Sequence, residues 1–345
     1  MKTNLHIQIA RTSTPGLNTL SQTAALAIQT ILRKHYRQVE ITIISNQADL
    51  AELARQKPDL VFNGFKHLPT ETSRVWLSSY LTDQGIAHTG SPRGAIELEQ
   101  DKSLAKQHIL WNGLQTAAYQ VVSDSRQLQQ AELKLRLPVF VKPLNLGGSQ
   151  GIDEASVAHS LAAINSKLAT LAARYSSDAL IEEYLPGREF GVAILKREHA
   201  AGHWVMPVEL TPPTNRKGDR LLSYSRKAST MPTPALLVKD EALRLKINSL
   251  ALGVFTSLGA RDYGRIDIRL DATGQPSFIE ANLLPGLMCD SGYFYRACKQ
   301  HLGMDQEAMI LAIVGLALQR QQSSKVQSGY PNSVVFGKIT QYLPS

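Results

Sequence analysis

The sequence has few cysteines, no long apolar run and no cluster of basic residues. Its two cysteines, Cys289 and Cys298, are too few for a disulfide framework, and their spacing of nine matches no metal-site pattern. A reducing cytoplasm is therefore the expected location. The longest apolar run, residues 309–318, is too short to span a membrane and predicts a buried C-terminal helix. The first residues lack the apolar core of a signal peptide.

The charge pattern argues against nucleic-acid binding. The net charge is +8, but lysine and arginine are spread along the chain without interleaved aromatic residues. Such a balance is typical of a protein that prefers small anionic ligands. The 345 residues, 43% of them hydrophobic, are enough for two or three domains with real cores.

Strand-like and helix-like patterns alternate along the chain, without internal repeats, and predict an α/β protein. The first third resembles an open α/β unit that ends at Gly90-Ser91-Pro92. The predicted strands there are residues 5–9, 39–44, 59–62 and 86–89, and the predicted helices are 20–32, 49–56 and 71–83.

Beyond the first third, the prediction continues with residues 97–111, 125–135, 157–174, 240–258 and 305–319 as helices, 118–122, 139–142, 179–184 and 190–195 as strands, and 264–281 as a hairpin. Residues 211–234 show no period, so we interpret them as a mobile loop or a linker. The predicted domains are residues 1–92, 93–185 and 186–345.

The hairpin at residues 264–281 carries the most informative pattern. Side chains alternate between the two faces of a strand, so apolar and polar residues separate cleanly here. A symmetric turn between Thr273 and Gly274 would keep that separation across the two strands. It pairs Arg265 with Asn282, Ile266 with Ala281, Asp267 with Glu280, and Ile268 with Ile279.

The polar face of this hairpin then carries two carboxylates and an amide. Oxygen ligands of this kind bind hard cations such as Mg²⁺, often together with nucleotide phosphates. A cation would relieve the repulsion between Asp267 and Glu280, and so would Arg265 or Arg269. The pattern alone leaves two interpretations open, a metal site and an exposed ladder of salt bridges.

A glycine-rich loop follows a short apolar strand that ends in Lys142. Residues 144–151 include Gly147, Gly148 and Ser149, and glycines let backbone N–H groups approach an anion. The Gly-Lys-Ser/Thr ending of a Walker A loop is missing, and an ordinary flexible loop is the alternative. Downstream, the acidic residues within 180–189 suit either a solvated surface or a bound nucleotide.

Taken in order, these segments resemble the D-alanine–D-alanine ligase family of the ATP-grasp superfamily, over roughly residues 86–318. The matching stretches are residues 101–102, 139–151, 182–189, 263–270 and 278–286. The resemblance implies an ATP-grasp fold with an N-terminal open α/β (pre-ATP-grasp) domain. It also implies an ATP-dependent ligase that phosphorylates an oxygen of one substrate and then joins it to an amine. Family members are commonly homodimers.

The family's site residues transfer to this sequence position by position. Lys102 and Lys142 match the nucleotide-phosphate lysines, and Gly147, Gly148 and Ser149 the loop that closes over the phosphates. Glu182, Tyr184 and Leu185 match the adenine-binding hinge, and Glu189 the ribose ligand. Asp267, Glu280 and Asn282 match the ligands of two Mg²⁺ ions, for which Mn²⁺ can substitute. Arg265 and the N–H of Gly286 match the groups that stabilise the tetrahedral intermediate, Lys227 the γ-phosphate lysine of a mobile loop, and Ser291 the ligand of the second substrate's carboxylate.

The sequence departs from the family where the first substrate binds. The family's N-terminal loop carries a glutamate for the ammonium of the first D-alanine, but no Asp or Glu precedes Glu40 here. The serine of the glycine-rich loop is Gly148, and the tyrosine after the mobile-loop lysine is Ala228. A buried ammonium without a paired charge is costly. We therefore expect a first substrate other than D-alanine, without a free α-ammonium.

The basic residues Arg11, Lys66 and His67 would suit an acidic group on that substrate. The ligase that completes mycosporine-like amino acids fits this profile, because it adds an amino acid to mycosporine-glycine. Alternatively, the N-terminal alignment is shifted and another acid, such as Glu71, binds the ammonium. The chain would then be a D-alanine–D-alanine ligase of peptidoglycan synthesis. A non-catalytic nucleotide-binding protein is disfavoured, because binding ATP alone does not need Arg265.

Overall fold

The computed structural model describes residues 2–13, 19–69, 73–123, 128–198, 200–212, 214, 218–220, 233–289 and 292–327. It is an α/β protein built on three sheets of four or five strands. Each predicted domain contains one of these sheets, although the domain boundaries themselves stay a prediction. One apolar core joins the first sheet to the C-terminal helices, so those two parts pack as neighbours.

The N-terminal part is an open parallel sheet. Its elements are β1 (Thr3–Arg11), α1 (Gln22–His35), β2 (Tyr36–Ile43), α2 (Gln47–Arg55), β3 (Leu60–Asn63), β4 (His67–Pro69), β5 (Arg74–Trp76), α3 (Leu77–Asp83) and β6 (Ala87–His88). The strand order is β2-β1-β3-β6, all parallel, and β4 and β5 form a separate hairpin. Ser21 caps α1, and Asn46 caps α2 in a reciprocal pair with Asp49.

The predicted helix at 71–83 is wrong at its start. The helix begins only at Leu77, because residues 74–76 pair with β4 as an antiparallel strand. The pairing sets the ring of Trp76 edge-on against His67, with centroids 4.9 Å apart. This small apolar contact outweighs the helical spacing that the sequence suggested.

The central part is an antiparallel sheet covered by one long helix. Its elements are α4 (Arg93–Gln100), α5 (Lys102–Trp111), β7 (Tyr119–Val122), β8 (Val139–Pro143), β9 (Val157–Ala158), α6 (Leu161–Tyr175) and β10 (Ala179–Glu183), in the sheet order β7-β10-β8-β9. The predicted helix at 97–111 is broken, because the Asp101 side chain accepts hydrogen bonds from Ser103 and Leu104 and so starts α5 afresh.

Two further helix predictions in the central part need correction. Within 125–135, the described residues contain only a short 3₁₀ turn, Gln130–Glu132. The helix expected from residue 157 begins at Leu161, because Val157 and Ala158 pair with β8 and Ser160 then caps the helix. Short apolar stretches of this kind suit a strand or a helix equally well, and sheet pairing decides.

The C-terminal part holds a five-stranded antiparallel sheet, ordered β13-β12-β11-β14-β15. Its elements are β11 (Glu189–Lys196), β12 (His203–Leu210), β13 (Ala235–Leu237), α7 (Glu241–Ser257), β14 (Tyr263–Leu270), β15 (Pro276–Asn282), α8 (Tyr293–Leu302) and α9 (Gln306–Gln327). The sequence did not predict β12, β13 or α8. Most of 211–234, interpreted as a loop or linker, lies outside the described residues.

The predicted hairpin register is right at the polar end and wrong near the turn. Arg265 pairs with Asn282 and Asp267 with Glu280, but Ile268 faces Phe278 instead of Ile279. The turn is centred on Thr273, half a residue earlier than predicted, because the Asp271 carboxylate accepts hydrogen bonds from the backbone of Thr273 and Gln275. An irregularity at Ile279 then restores the register.

The C-terminal helix α9 lies in the core, as the apolar run at 309–318 predicted. Ile310, Ile313 and Val314 are buried together with Ile7 and Ile9 of the first sheet. Arg320 pairs with Asp262 and also donates to the carbonyl of His88, which fastens the end of α9 to the first sheet. Among the described residues, no helix is by itself long and apolar enough to cross a membrane; α8 and α9 reach that threshold only as a pair bent by 100°.

Candidate active site

A cleft opens between the central sheet and the C-terminal hairpin. The strands β8 and β10 form one wall, and β14 and β15 form the other. Nearly half of the lining residues are charged, although strand interiors are mostly apolar. They include Lys106, Lys142, Glu182, Arg265, Asp267 and Glu280. Most of the predicted nucleotide and metal residues therefore meet at one place.

Glu182 lies between two lysines at the inner end of the cleft. Its carboxylate is 2.9 Å from Lys106 Nζ and 2.5 Å from Lys142 Nζ. All three side chains are buried. Burial alone would raise the pKa of Glu182, but the two ammonium groups outweigh it and hold that pKa below its usual value. The Glu182 carboxylate is therefore charged.

Lys106 is a site residue that the sequence analysis missed. It follows Lys102 by four residues in α5, so both lie on one face of the helix. Its ammonium also donates to Thr116 Oγ1 at 2.7 Å, and Thr116 in turn donates to the carbonyl of Phe278. The helical spacing from Lys102 was the available signal, but a buried lysine cannot be recognised from spacing alone.

Lys102 supports the glycine-rich loop from below. Its buried ammonium donates to the carbonyls of Leu144 (3.2 Å) and Leu146 (2.6 Å), where that loop begins. Burial lowers the pKa of Lys102 to about 8. The side chain thus ties α5 to the segment proposed to cover the phosphates, and it is charged at neutral pH.

The loop itself turns through two consecutive left-handed residues. Gly148 has φ +66° and Ser149 has φ +64°, and the latter is unusual for a residue with a side chain. The Gly147 carbonyl accepts a hydrogen bond from Gln150 N at 3.2 Å. Ser149 lines the cleft, and a side chain on Gly148 would meet no atom within 4 Å. The space beside Gly148 is therefore open.

The predicted adenine and ribose residues form the outer rim. Tyr184, Leu185 and Glu189 line the cleft beside Glu182. Arg269 lies over the Tyr184 ring at 5.1 Å and is 3.7 Å from the Glu189 carboxylate. The Tyr184 hydroxyl accepts a hydrogen bond from Arg220 N at 3.1 Å. The rim offers an aromatic face and a carboxylate, which suit a base and a ribose hydroxyl.

On the hairpin, Arg265 and Asp267 are in direct contact. The guanidinium donates from Nε to Oδ1 at 2.7 Å and from Nη2 to Oδ2 at 2.9 Å. Asn282 also donates to Oδ2, at 3.2 Å. Burial would lower the pKa of Arg265, but Asp267 outweighs it and raises that pKa above its usual value. A salt bridge therefore exists on this face, but the strand is buried, so the interpretation as an exposed ladder is wrong.

The same face also fits a hard cation. Asp267 and Glu280 are cross-strand partners, and Asn282 uses its amide nitrogen towards Asp267, which leaves its oxygen as an acceptor. Two carboxylates and an amide oxygen are the ligands that Mg²⁺ shares with phosphates. Within the described ranges, no group of three or more His, Cys, Asp or Glu forms a metal site, so this mixed set is the candidate.

Gly286 lies beyond the hairpin, close to the start of α8. A side chain there would come no nearer than 4.0 Å to Gly292, whereas one on Gly292 would clash with the Gly286 carbonyl at 2.5 Å. The turn therefore keeps the Gly286 backbone accessible. Lys227 and Ser291, predicted for the γ-phosphate and the second substrate, lie outside the described residues, as does Glu71.

The three basic residues proposed for the first substrate have different surroundings. Arg11 ends β1 and donates to the Leu20 carbonyl at 3.3 Å. Lys66 is paired with Glu99 at 2.9 Å. Burial, together with Arg74 and Lys66, lowers the pKa of His67 to about 4. The expectation that His67 supplies positive charge needs correction, because the ring is neutral at neutral pH.

Comparison with known proteins places these features in a family. The family profile described as D-ala D-ala ligase C-terminus matches residues 109–315, more than half of the chain. A D-alanine–D-alanine ligase of Hydrogenovibrio crunogenus is 31% identical over 277 residues, which cover 80% of this chain and 82% of the relative. The corresponding enzyme of Bordetella petrii is 28% identical, with 84% and 83% covered.

Solved structures share the fold. A D-alanine–D-alanine ligase from Bacillus anthracis complexed with ATP superimposes with a TM-score of 0.72 at 18% identity, covering 93% of this chain and 99% of that one. The ligase from Coxiella burnetii gives a TM-score of 0.66 at 16% identity, with 94% and 97% covered. The fold is therefore the ATP-grasp fold, and the chain belongs to the D-alanine–D-alanine ligase family of ATP-dependent carbon–nitrogen ligases.

Proposed function

We propose that the protein phosphorylates an oxygen of a first substrate other than D-alanine and couples it to the amine of an amino acid. Mycosporine-glycine is the proposed first substrate. ATP transfers its γ-phosphoryl group to that oxygen, the bond to ADP breaks, and ADP leaves. The amine nitrogen then attacks the activated carbon and loses a proton, and the carbon–oxygen bond breaks with release of phosphate. The homodimer expected from the family stays a prediction.

The charge at the first-substrate end is the observation that supports this choice. Strands β1 and β3 end side by side in the parallel sheet, at Arg11 and Asn63. Ligands of open α/β sheets bind beyond such carboxyl ends. No acidic residue precedes Glu40 in the sequence, and the buried carboxylate near this edge, Glu99, is already paired with Lys66. Among the described residues, a substrate ammonium would therefore find no unpaired carboxylate at Glu99.

The chain's own groups have distinct proposed roles. Lys142 would hold the phosphates of ATP, with Ser149 and the glycine-rich loop covering them, while the cation bound by Asp267, Glu280 and Asn282 would neutralise the transferred phosphoryl group. Arg265 would stabilise the oxygen on which negative charge develops, together with the N–H of Gly286.

A single assay tests the choice of first substrate. Purified protein is incubated with Mg-ATP and D-alanine alone, ADP release is followed, and the products are identified by mass spectrometry. We expect no D-alanyl-D-alanine, and we expect turnover when mycosporine-glycine and a panel of amino acids replace D-alanine. Robust formation of the dipeptide would refute the proposal.

The alternative function is that of a D-alanine–D-alanine ligase of peptidoglycan synthesis. The names of the relatives favour it, since those compared here are D-alanine–D-alanine ligases over most of their length. It requires a carboxylate that replaces the missing glutamate. Dipeptide formation in the assay above would establish it.

The proposed metal site has its own test. Glu280→Gln keeps the size of the side chain but removes its charge, so turnover should fall below detection while the fold persists. The rate of ADP release from this variant should stay below detection at every Mg²⁺ concentration tested. Glu241→Gln, an exposed position at the start of α7, is the control and should behave as the wild type. Unchanged activity of Glu280→Gln would remove this residue from the site.

A further inference from the structure

A second ion pair, between Lys66 and Glu99, joins the segment after β3 to α4. Lys66 Nζ is 2.9 Å from Glu99 Oε1, and the Glu99 side chain is only 4% exposed. The same oxygen accepts a hydrogen bond from Leu283 N at 3.2 Å. The other oxygen, Oε2, is buried and has no hydrogen-bond partner among the residues that the structure describes.

Burying a carboxylate oxygen without a hydrogen-bond donor costs folding free energy, and native proteins rarely contain such an oxygen. Glu99 is well anchored through its first oxygen, which accepts from a side chain and from the backbone. The position of the second oxygen is therefore fixed, and this oxygen accepts no hydrogen bond from the described residues. A bound molecule with an N–H or O–H group would remove the cost.

The pair lies between the first sheet and the C-terminal hairpin. Lys66 follows β3 at the carboxyl end of the parallel sheet. Leu283 directly follows Asn282, one of the proposed cation ligands. Glu99 is in α4, just before Lys102. The two side chains thus connect the first sheet to the hairpin on which the reaction is proposed to occur.

The charges of the neighbours determine what kind of donor fits. Lys66 already neutralises Glu99, and the charge of Lys66 also acts on Lys102 nearby. A substrate ammonium placed at Glu99 would face two lysines of like charge. A neutral hydroxyl would not. Lys66 has three N–H donors and uses one of them on Glu99. The pair can therefore accept a hydrogen bond from a hydroxyl and also donate one to it.

We propose that Glu99 and Lys66 bind a hydroxyl group of the first substrate, which makes Glu99 a specificity-determining residue. The inference rests on the proposed function and narrows it to a hydroxylated substrate without an α-ammonium. Glu99 does not take part in phosphoryl transfer. Its removal should therefore weaken the binding of the first substrate and leave the binding of the nucleotide unchanged.

The test measures binding and turnover separately. Calorimetric titrations give the Kd of mycosporine-glycine, whose ring carries hydroxyl groups, for protein saturated with Mg²⁺ and a non-hydrolysable ATP analogue. Glu99→Gln should raise that Kd about tenfold or more, because the amide cannot serve Lys66 and the hydroxyl as the carboxylate does. The Kd of the ATP analogue should stay within twofold.

Two further variants control for effects on folding. Glu97→Gln lies two residues away on the same helix, where the carboxylate is exposed and pairs with Arg93, and it should bind as the wild type does. Lys66→Met combined with Glu99→Leu replaces the buried pair by apolar side chains of similar size, and thermal unfolding checks that it folds. This double variant should also bind the first substrate more weakly, and its Kd for the nucleotide should stay unchanged.

The outcomes separate this inference from the proposed function. Turnover of mycosporine-glycine with an unchanged Kd in Glu99→Gln would overturn the role of Glu99 and leave the proposed function intact. Failure of mycosporine-glycine to bind the wild type would overturn the inference. Dipeptide formation from D-alanine would refute the proposed function, and its loss in Glu99→Gln would identify Glu99 as an ammonium ligand instead.

Discussion

Arg265 holds both carboxylate oxygens of Asp267, at 2.7 and 2.9 Å, from a position two residues earlier on the same strand. Alternation along β14 puts the two side chains on one face, which is the face that meets the cleft. The residue proposed to stabilise developing negative charge is thus aligned by the residue proposed to bind the cation. Their geometry depends on a planar fork with two parallel hydrogen bonds.

We predict that Arg265→Lys lowers the turnover number at least a hundredfold. Lysine keeps the charge, but it cannot bind both oxygens of Asp267 and also point at a reacting oxygen. ADP release at saturating ATP measures the change. Arg188→Lys is the matched control, because Arg188 binds Glu209 through the same fork while its side chain is 39% exposed. Equal losses in both variants would contradict the prediction.

We predict that Lys106→Met destabilises the protein by about 1–3 kcal/mol, because the buried Glu182 then keeps only one of its two charged partners. Adding Glu182→Gln to this variant should not recover that loss, because it leaves the buried Lys142 ammonium without its carboxylate. Urea unfolding measures both free energies.

A surface pair provides the control for the Lys106 prediction. Lys34 and Glu307 also form an ion pair, but the lysine side chain is 57% exposed. Lys34→Met should therefore cost less than about 1 kcal/mol. If Lys106→Met costs no more than this control, the buried cluster contributes little to stability.

Acid should destabilise the protein through its buried histidines. Burial, with Arg261 and Arg320 nearby, lowers the pKa of His88 to about 3, and burial lowers that of His67 to about 4. Unfolded, each ring binds a proton below about pH 6.5, whereas the folded protein does not. The free energy of unfolding should therefore fall by up to about 1.4 kcal/mol per pH unit and per ring between pH 6.5 and 4.

Urea unfolding at pH 7.5, 6.0 and 5.0 measures this dependence. His88→Gln removes one titrating ring, so its stability should depend less steeply on pH below 6.5 and equally above it. His159→Gln is the control, because that ring is 42% exposed. An identical pH dependence in wild type and His88→Gln would show that this ring does not account for the effect.

Local patterns were sufficient to predict much of the first third of the fold. The helices at α1 and α2 combine apolar spacing with capping residues, and the structure has both. Strand β12 was missed because it contains Pro207, which argues against a central strand. The structure resolves the conflict, since β13 pairs only with residues 208–210 and leaves Pro207 at an edge on that side.

In the candidate site, too, local sequence patterns predicted some contacts and not others. Alternation along the hairpin predicted that Asp267 faces Glu280, because the pattern fixes the register there. The pairing of Glu182 with Lys106 and Lys142 could not be predicted, since it joins three elements far apart in the sequence. The pair of Lys66 and Glu99 is of the same kind. Contacts of this sort depend on tertiary packing, which no local spacing encodes.

The last prediction concerns the nucleotide and uses the pKa of Lys102, which burial lowers to about 8. Below that pH the side chain is charged, and above it the charge is lost. If Lys102 attracts the phosphates, the Kd of Mg-ADP should rise between pH 7.5 and 9.5, by at most about tenfold per pH unit. ADP is chosen because its own phosphates stay ionised across this range.

Lys102→Met should bind more weakly and show little pH dependence, while Lys246→Met, on the exposed side of α7, should follow the wild type. A Kd that does not change with pH in the wild type would mean that Lys102 only supports the loop through the carbonyls of Leu144 and Leu146.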